Sequence, residues 1–392
     1  MSAASTGPGS PFDVTLEEMR LHRSAKWSRV KADVLPAWTA EMDVRTAPAI
    51  AEALHTAVDR SDFGYAGHPK PVVDAFAGFA RDVWDWDPVA GTGSVRVMGD
   101  VGVGVQEILR AVTSPGDRVM LNPPVYLSFY PWITGLGLVP DDVPMLDQDR
   151  GGRLDLEGIE RSLAGGTRVV LLCSPHNPLG MVTPREDLAA VAHLARAHGA
   201  LVIADEIHAP LVHPGSERQF VPFLAVSDAA REVGIALHSP SKAWNLAGLK
   251  LAVGVVADRS RWPAAMTGGL DWGAGILGQY AAVAAYTGGR EWLDVVRREI
   301  EERAAQLQPL LAEHLPGVRY HRPSASYLAW LDCRELGLGD DPAQAFLERG
   351  RVLLSPGPAF GPGGTGFARL NIGTSQELMT EAVRRMASAL DR

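Results

Sequence analysis

Lysine is scarce in this chain. Of 37 basic residues 32 are arginine, and after Lys70 only Lys242 and Lys250 are lysines. A plain positive charge is therefore usually supplied by arginine, whose guanidinium stays protonated and cannot condense with a carbonyl. An amine can do both. The stretch "ALHSPSKAWNLAGLK", from Ala236 to Lys250, holds two of the five lysines and becomes the first place to look for amine chemistry. Cysteine is scarcer still. Cys173 inside "VVLLCS" and Cys333 after "LAWLD" read as small buried strand residues, which excludes a disulfide framework and a cysteine-rich metal site and fits a reducing compartment. No apolar run reaches membrane-spanning length, and "MSAASTGPGSPF" lacks a basic stretch followed by an apolar one. A cytoplasmic protein is expected, with no membrane partner. A basic face is also missing: the net charge is -9, which argues against a nucleic-acid partner.

What remains is the composition of a globular protein. With 392 residues, 46% hydrophobic and 21% charged, the chain can bury a large core and exceeds one ordinary domain. "PVVDAFAGFARDVWDW" and "VGVQEILRAVTSPGD" carry apolar residues at helical spacing. Short apolar runs at 118–121, 168–173, 200–205 and 234–239 predict buried strands. Between the second and third lies "TPREDLAAVAHLARAHG", where Thr183 and Glu186 have capping-box spacing, Pro184 suits the first helical position and Gly199 the stop. Strand, helix, strand predicts a parallel crossover and an α/β fold with a mostly parallel, doubly wound sheet. After about Tyr286 a long charged helix and mixed elements suggest a smaller α+β domain. The Gly/Pro-rich "SPGPAFGPGGTGF" (355–367) reads as a loop.

In such a sheet, ligands bind beyond the carboxyl ends of the strands. "VVLLC" is followed by His176 and Asn177, "LVIA" by Asp205, Glu206 and His208, and "IALH" by Ser239, Ser241 and Lys242. Amide, carboxylate and amine therefore converge. The Gly-rich turn "GDVGVG" (99–104) before a helix presents backbone N–H groups of Val101 and Gly102 to a phosphate, with Ser239 and Lys250 adding a hydroxyl and a charge. Tyr126 in "NPPVYLSF" offers a ring to stack on. Pyridoxal 5'-phosphate requires such a combination. "WTAEMD" (38–43) and the surroundings of Trp272 are candidate pocket walls.

Taken in order, "DVLPAWTAEMD", "FGYAGHP", "NPPVY", "SPHNPLG", "ADEIH", "SPSKAWNLAGLK", "SYLAWLD" and "FARLN" resemble the fold-type I pyridoxal-phosphate enzymes of the class I/II aminotransferase superfamily. The resemblance is strongest to the MalY/PatB-like carbon-sulfur lyases. It implies an N-terminal segment (1–47) packing with the small domain, a large cofactor-binding domain (48–285) and a small C-terminal domain (286–392). It implies Lys242 as the Schiff-base lysine and base, Asp205 at the pyridine nitrogen, Asn177 and His208 at the ring hydroxyl, and Tyr126 stacked on the ring. Arg369 and Ala40 are implied at the substrate. Tyr65 is implied at the cofactor phosphate across the interface of a homodimer with shared active sites. Asp100 stands where such enzymes usually carry glycine, with Lys250 as its candidate counter-charge. The implied reaction is α,β-elimination from cystathionine or another cysteine S-conjugate, giving a thiol, pyruvate and ammonia. Aminotransfer to a 2-oxo acid is the alternative, and a regulatory binding protein on the same fold is the alternative of another class.

Overall fold

The computed structural model describes residues 9–266 and 273–390. After a first short strand, β1 (Leu35–Pro36), the chain builds a seven-stranded sheet from β2 (Ser94–Met98), β3 (Arg118–Leu121), β4 (Val139–Asp142), β5 (Val169–Cys173), β6 (Leu201–Asp205), β7 (Gly234–His238) and β8 (Ala252–Val256). Its order is β2-β8-β7-β6-β5-β3-β4, and the contacts β7–β6–β5–β3–β4 are all parallel. Only β8 runs against its neighbours. The α/β class with a mostly parallel sheet is thus as the sequence predicts.

Continuous apolar runs form the central strands because both faces are covered. Val169, Leu171 and Cys173 of β5 pack with Val105 and Ile108 of helix Val101–Val112. Their alternates Val170 and Leu172 join the other core with Phe76 of helix Lys70–Trp84 and Val191 of helix Arg185–Ala197. Each fully buried Val, Leu, Ile or Phe contributes on the order of 1.5–3 kcal/mol. The doubly covered sheet is therefore a stiff platform for whatever its strand ends carry.

Two local expectations need correction. The Thr183–Glu186 capping box does not form: Pro184, at ψ 143°, is itself the residue preceding the helix Arg185–Ala197, which leaves Thr183 one position too early to reach the helix N–H groups. Its hydroxyl is buried without a hydrogen-bond partner among the described residues. Gly199, at φ +66°, does follow the helix end. The second correction concerns the 355–367 loop. Ser355–Pro356 forms a strand, β12, because an edge position does not need the N–H that proline lacks.

The C-terminal sheet joins β9 (Arg319–Tyr320), β10 (Leu328–Asp332), β12 and β13 (Phe367–Asn371) in the antiparallel order β12-β13-β10-β9. Ser355 lies opposite Arg369, and Trp330 lies opposite Arg369 on the other side. β1 pairs in parallel with β11 (Val352–Leu353), so the N-terminal segment is sewn onto this part of the chain. Among the described residues no helix is long and apolar enough to cross a membrane.

Candidate active site

Beyond the carboxyl ends of β5, β6 and β7 lies a cavity of about 400 Å³, within the range of small-molecule sites. Asp205 ends β6, with Cys173 and Leu237 as its neighbours across the sheet. One carboxylate oxygen accepts a hydrogen bond from the Ile207 N–H at 3.1 Å. Burial pushes its pKa up to about 7, against the pull of that N–H and of Lys242. Lys242 follows β7 and donates from Nζ to the Ala40 carbonyl at 2.9 Å. Burial brings the ammonium down to about 8; the nearby Arg369 charge acts the same way, while Asp205 and Glu41 oppose. The cavity thus holds an amine and a carboxyl whose proton affinities have converged near neutrality.

The start of helix Val101–Val112 also lines the cavity. Asp100 caps it, accepting from the Val103 N–H at 2.7 Å, so the earlier N–H groups of Val101 and Gly102 remain at the cavity. A Cβ on Gly102 would lie 2.5 Å from the Trp132 ring, which makes glycine the residue that fits. Lys250 pairs with Asp100 at 2.9 Å. Ser239 donates to the Leu251 carbonyl at 2.6 Å and shares a hydrogen bond with Ser241. Tyr126 lines the wall, edge-on to Trp132 with 5.7 Å between centroids.

Asn177 and His208 complete the lining. His208 is buried, and burial, with the charges of Lys242 and Arg369, lowers its pKa to about 3; it is a neutral imidazole whose Nδ1 has no hydrogen-bond partner among the described residues. Asn177 accepts from Arg369 Nη1 at 3.1 Å. Arg369, on β13, is 2% exposed and donates from Nη2 to the Trp38 carbonyl at 2.8 Å and the Ser355 hydroxyl at 3.0 Å. These acceptors are all neutral. Burial lowers even this guanidinium, to about 10.

Of the residues given a role at the cofactor or substrate, all but two line the cavity: Arg369 stands behind Asn177, and Tyr65 is on the surface, 93% exposed. Of the other strand-end residues, Ser241 lines it too, whereas His176 turns to the Asn122 carbonyl and Glu206 accepts from the Phe223 N–H. Of "WTAEMD", Ala40 lines the cavity while Asp43 is buried in an ion pair with Lys26. Trp272 lies outside the described residues. Several supporting residues escaped the sequence reading. Asn245, at φ +58°, clamps Met42 through both its N–H and its carbonyl, and the Tyr327 hydroxyl donates to the same Ala40 carbonyl as Lys242. Their signal was position: both sit inside motifs already singled out, "NLAGL" and "SYLAWLD". Trp38 and Ser355, which hold Arg369, lie in stretches already noted, "WTAEMD" as a candidate wall and "SPGPAFGPGGTGF" as a loop, but nothing in either pointed to this role.

The orphaned Nδ1 of His208, the raised carboxyl of Asp205 and the lowered amine of Lys242 fit an aromatic heterocycle bearing an oxygen and an aldehyde. The helix start with Ser239 and Lys250 fits a phosphate. Among the described residues no cluster of histidine, cysteine and acidic side chains is suited to a metal ion. Comparison with known proteins agrees with this chemistry. A model of the family "Aminotransferase class I and II" matches residues 91–386. A proposed cystathionine beta-lyase of Mycobacterium leprae is 40% identical, over 96% of this chain and 97% of its own. Cystathionine beta-lyase PatB of Bacillus subtilis is 35% identical, covering 95% and 98%. The crystal structure of a proposed PLP-dependent beta-cystathionase from Corynebacterium diphtheriae superimposes with a TM-score of 0.89 at 33% identity, over 98% of this chain and 100% of that one. With this fold, this cavity and these relatives, the chain belongs to the aminotransferase class I and II family, whose members share the fold-type I architecture.

Proposed function

We propose that the protein is a pyridoxal-phosphate-dependent carbon-sulfur β-lyase acting on cystathionine or another cysteine S-conjugate, releasing a thiol, pyruvate and ammonia. The observation that carries this reading is the joint one: a near-neutral amine at Lys242, a protonatable carboxyl at Asp205 and an arginine with no carboxylate partner among the described residues meet at one buried site. When bound, pyridoxal 5'-phosphate supplies an electron sink for the bond broken at the substrate Cα. Lys242 is its covalent attachment point and, once free, the base that takes the Cα proton. Its pKa of about 8 suits that task, since a base works best near the ambient pH. Asp205 holds a proton at the pyridine nitrogen. Asn177 and His208 face the ring hydroxyl, and Tyr126 covers the ring.

Val101, Gly102, Ser239 and Lys250 hold the phosphate. Arg369 grips the substrate carboxylate as a planar fork, with Ala40 beside the amino acid. The chain is divided in this reading into an N-terminal segment (1–47), a large domain (48–285) and a small domain (286–392). It works as a cytoplasmic homodimer in which a second copy supplies Tyr65 to the phosphate; the exposure of Phe63 and Tyr65, 56% and 93%, supports such an interface. Elimination requires no amino acceptor. The test is pyruvate release from cystathionine with no added 2-oxo acid, and a reaction that stays silent until a 2-oxo acid is supplied would make the protein an aminotransferase instead.

A further inference from the structure

Arg369 has a feature that its proposed role leaves unexplained. Its Nε is buried and has no hydrogen-bond partner among the described residues, yet a buried cation is costly unless something compensates it. The compensation is aromatic. The guanidinium carbon lies 5.0 Å from the centroid of the Phe360 ring, within cation–π range. Phe360 is itself fully buried and is wedged edge-on against Trp330 at 5.2 Å, which in turn stacks on Phe367 at 5.2 Å and 11°. The ring is therefore held by its neighbours and cannot turn its face away from the arginine without disturbing the stack. Its backbone has a second duty: the Phe360 carbonyl accepts from the Val125 N–H at 2.9 Å, one residue before Tyr126. One residue thus braces the arginine of the C-terminal sheet with its ring and the cavity-wall loop with its carbonyl.

We propose that Phe360 is a positioning residue for substrate carboxylate recognition, its ring face fixing the Arg369 guanidinium while its carbonyl ties that corner to the loop carrying Tyr126. This rests on the reading of Arg369 as the carboxylate-binding group. Hydrogen bonds from Nη1 and Nη2 to neutral acceptors set the plane of the fork; the ring shields the charge without neutralising it. A carboxylate counter-ion in the same place would compete with the substrate. A π face stabilises the cation and leaves its fork unclaimed by another anion.

The experiment compares Phe360→Leu and Phe360→Met, which keep an apolar side chain and remove the π face, with Phe360→Tyr, which restores it. The holoenzyme is assayed on cystathionine, and binding of L-alanine and of L-alaninamide is followed by spectral titration, with melting temperatures alongside. We expect Leu and Met to raise KM and the L-alanine Kd by about tenfold, the order of a desolvated cation–π contact, with kcat within about threefold. Alaninamide binding stays unchanged, and Phe360→Tyr behaves as the parent. Equal weakening of both probes, or an unchanged L-alanine Kd in both apolar variants, overturns the inference. Arg369→Lys is run beside them: if it keeps the parent preference for L-alanine over its amide, the reading of Arg369 itself fails and the inference falls with it.

Discussion

Among the described residues two lysine–aspartate couples are buried, and they are arranged in opposite ways. Lys26 and Asp43 touch directly at 2.7 Å with 1% and 3% exposure; the second Asp43 oxygen takes the Trp27 Nε1–H at 2.8 Å, and Lys26 also reaches the Glu41 carbonyl. Every strong group there has a partner, so the pair is a structural rivet in the N-terminal segment. Lys242 and Asp205 share a cavity without such a contact. The amine rests on the neutral Ala40 carbonyl and the carboxyl on the Ile207 N–H, so burial shifts both toward neutrality. The difference is that Lys26 spends its ammonium on a direct ion pair, whereas the counter-charge of Lys242 is kept off it and burial brings its pKa down to about 8. A third couple, Lys250 and Asp100, is 63% and 31% exposed at the cavity rim and shows the remaining case, a solvated pair of small energetic weight.

The sharpest break between the couples should come from removing the amines. Lys242→Ala is expected to cut elimination by at least about 10³-fold, the order that loss of a positioned proton-transfer group costs, without lowering the melting temperature of the cofactor-free protein. Lys242→Arg should be as inactive, since charge alone is not the requirement; substantial turnover in either variant would refute the assignment. Lys26→Ala should do the reverse. Leaving Asp43 buried and unpaired costs about 3–5 kcal/mol of stability, read as a lowered midpoint in urea, and the surviving folded protein should keep a Lys242-dependent pH profile.

The reactive couple also predicts a pH signature in the cofactor-free protein. Asp205 has a folded pKa of about 7 against an ordinary 3.8, so between these values the native chain holds a proton that the unfolded chain has lost, and stability falls as pH rises. Lys242 runs from an ordinary 10.5 down to about 8, so in that window the unfolded chain holds the extra proton and stability climbs with pH. The couple therefore costs most between about pH 7 and 8. Asp205→Asn should raise the melting temperature by a few degrees at pH 7.5 and leave it unchanged near pH 4; equal effects at both would place the cause elsewhere. The smallest effect belongs to the rim. Asp100→Asn should tighten pyridoxal-phosphate binding by no more than about fivefold in a fluorescence titration, because an exposed ion pair is worth roughly 0–1 kcal/mol. A tenfold or larger change would show that Asp100 governs the phosphate end.

Much of the candidate site was legible because the carboxyl ends of neighbouring parallel strands open onto one cavity. Asn177, Asp205, His208 and Lys242 each follow an apolar run, and the runs appear as β5, β6 and β7 within a residue of their read limits. Errors fell where one-dimensional signals are ambiguous. Thr183 and Glu186 have the right spacing, but spacing does not say which residue precedes the first helical turn. Pro356 reads as a strand breaker, yet at a sheet edge its missing N–H faces nothing that needs it.

The sequence by itself determined the chemistry available. It set the paucity of lysine that made Lys242 conspicuous, the alternation of buried strands and helices that yields a parallel sheet, and the order of motifs that marks the family. Only the tertiary structure decided how those groups behave. Whether a lysine lies against its aspartate, as Lys26 does, or beside a carbonyl, as Lys242 does, depends on residues far away in the chain, with 202 positions separating Lys242 from Ala40. The same holds for Arg369, whose supports at Trp38, Asn177 and Phe360 come from three separate stretches. Charge, burial and hydrogen bonding act through space over a few ångströms, and that proximity is established only when the chain is folded.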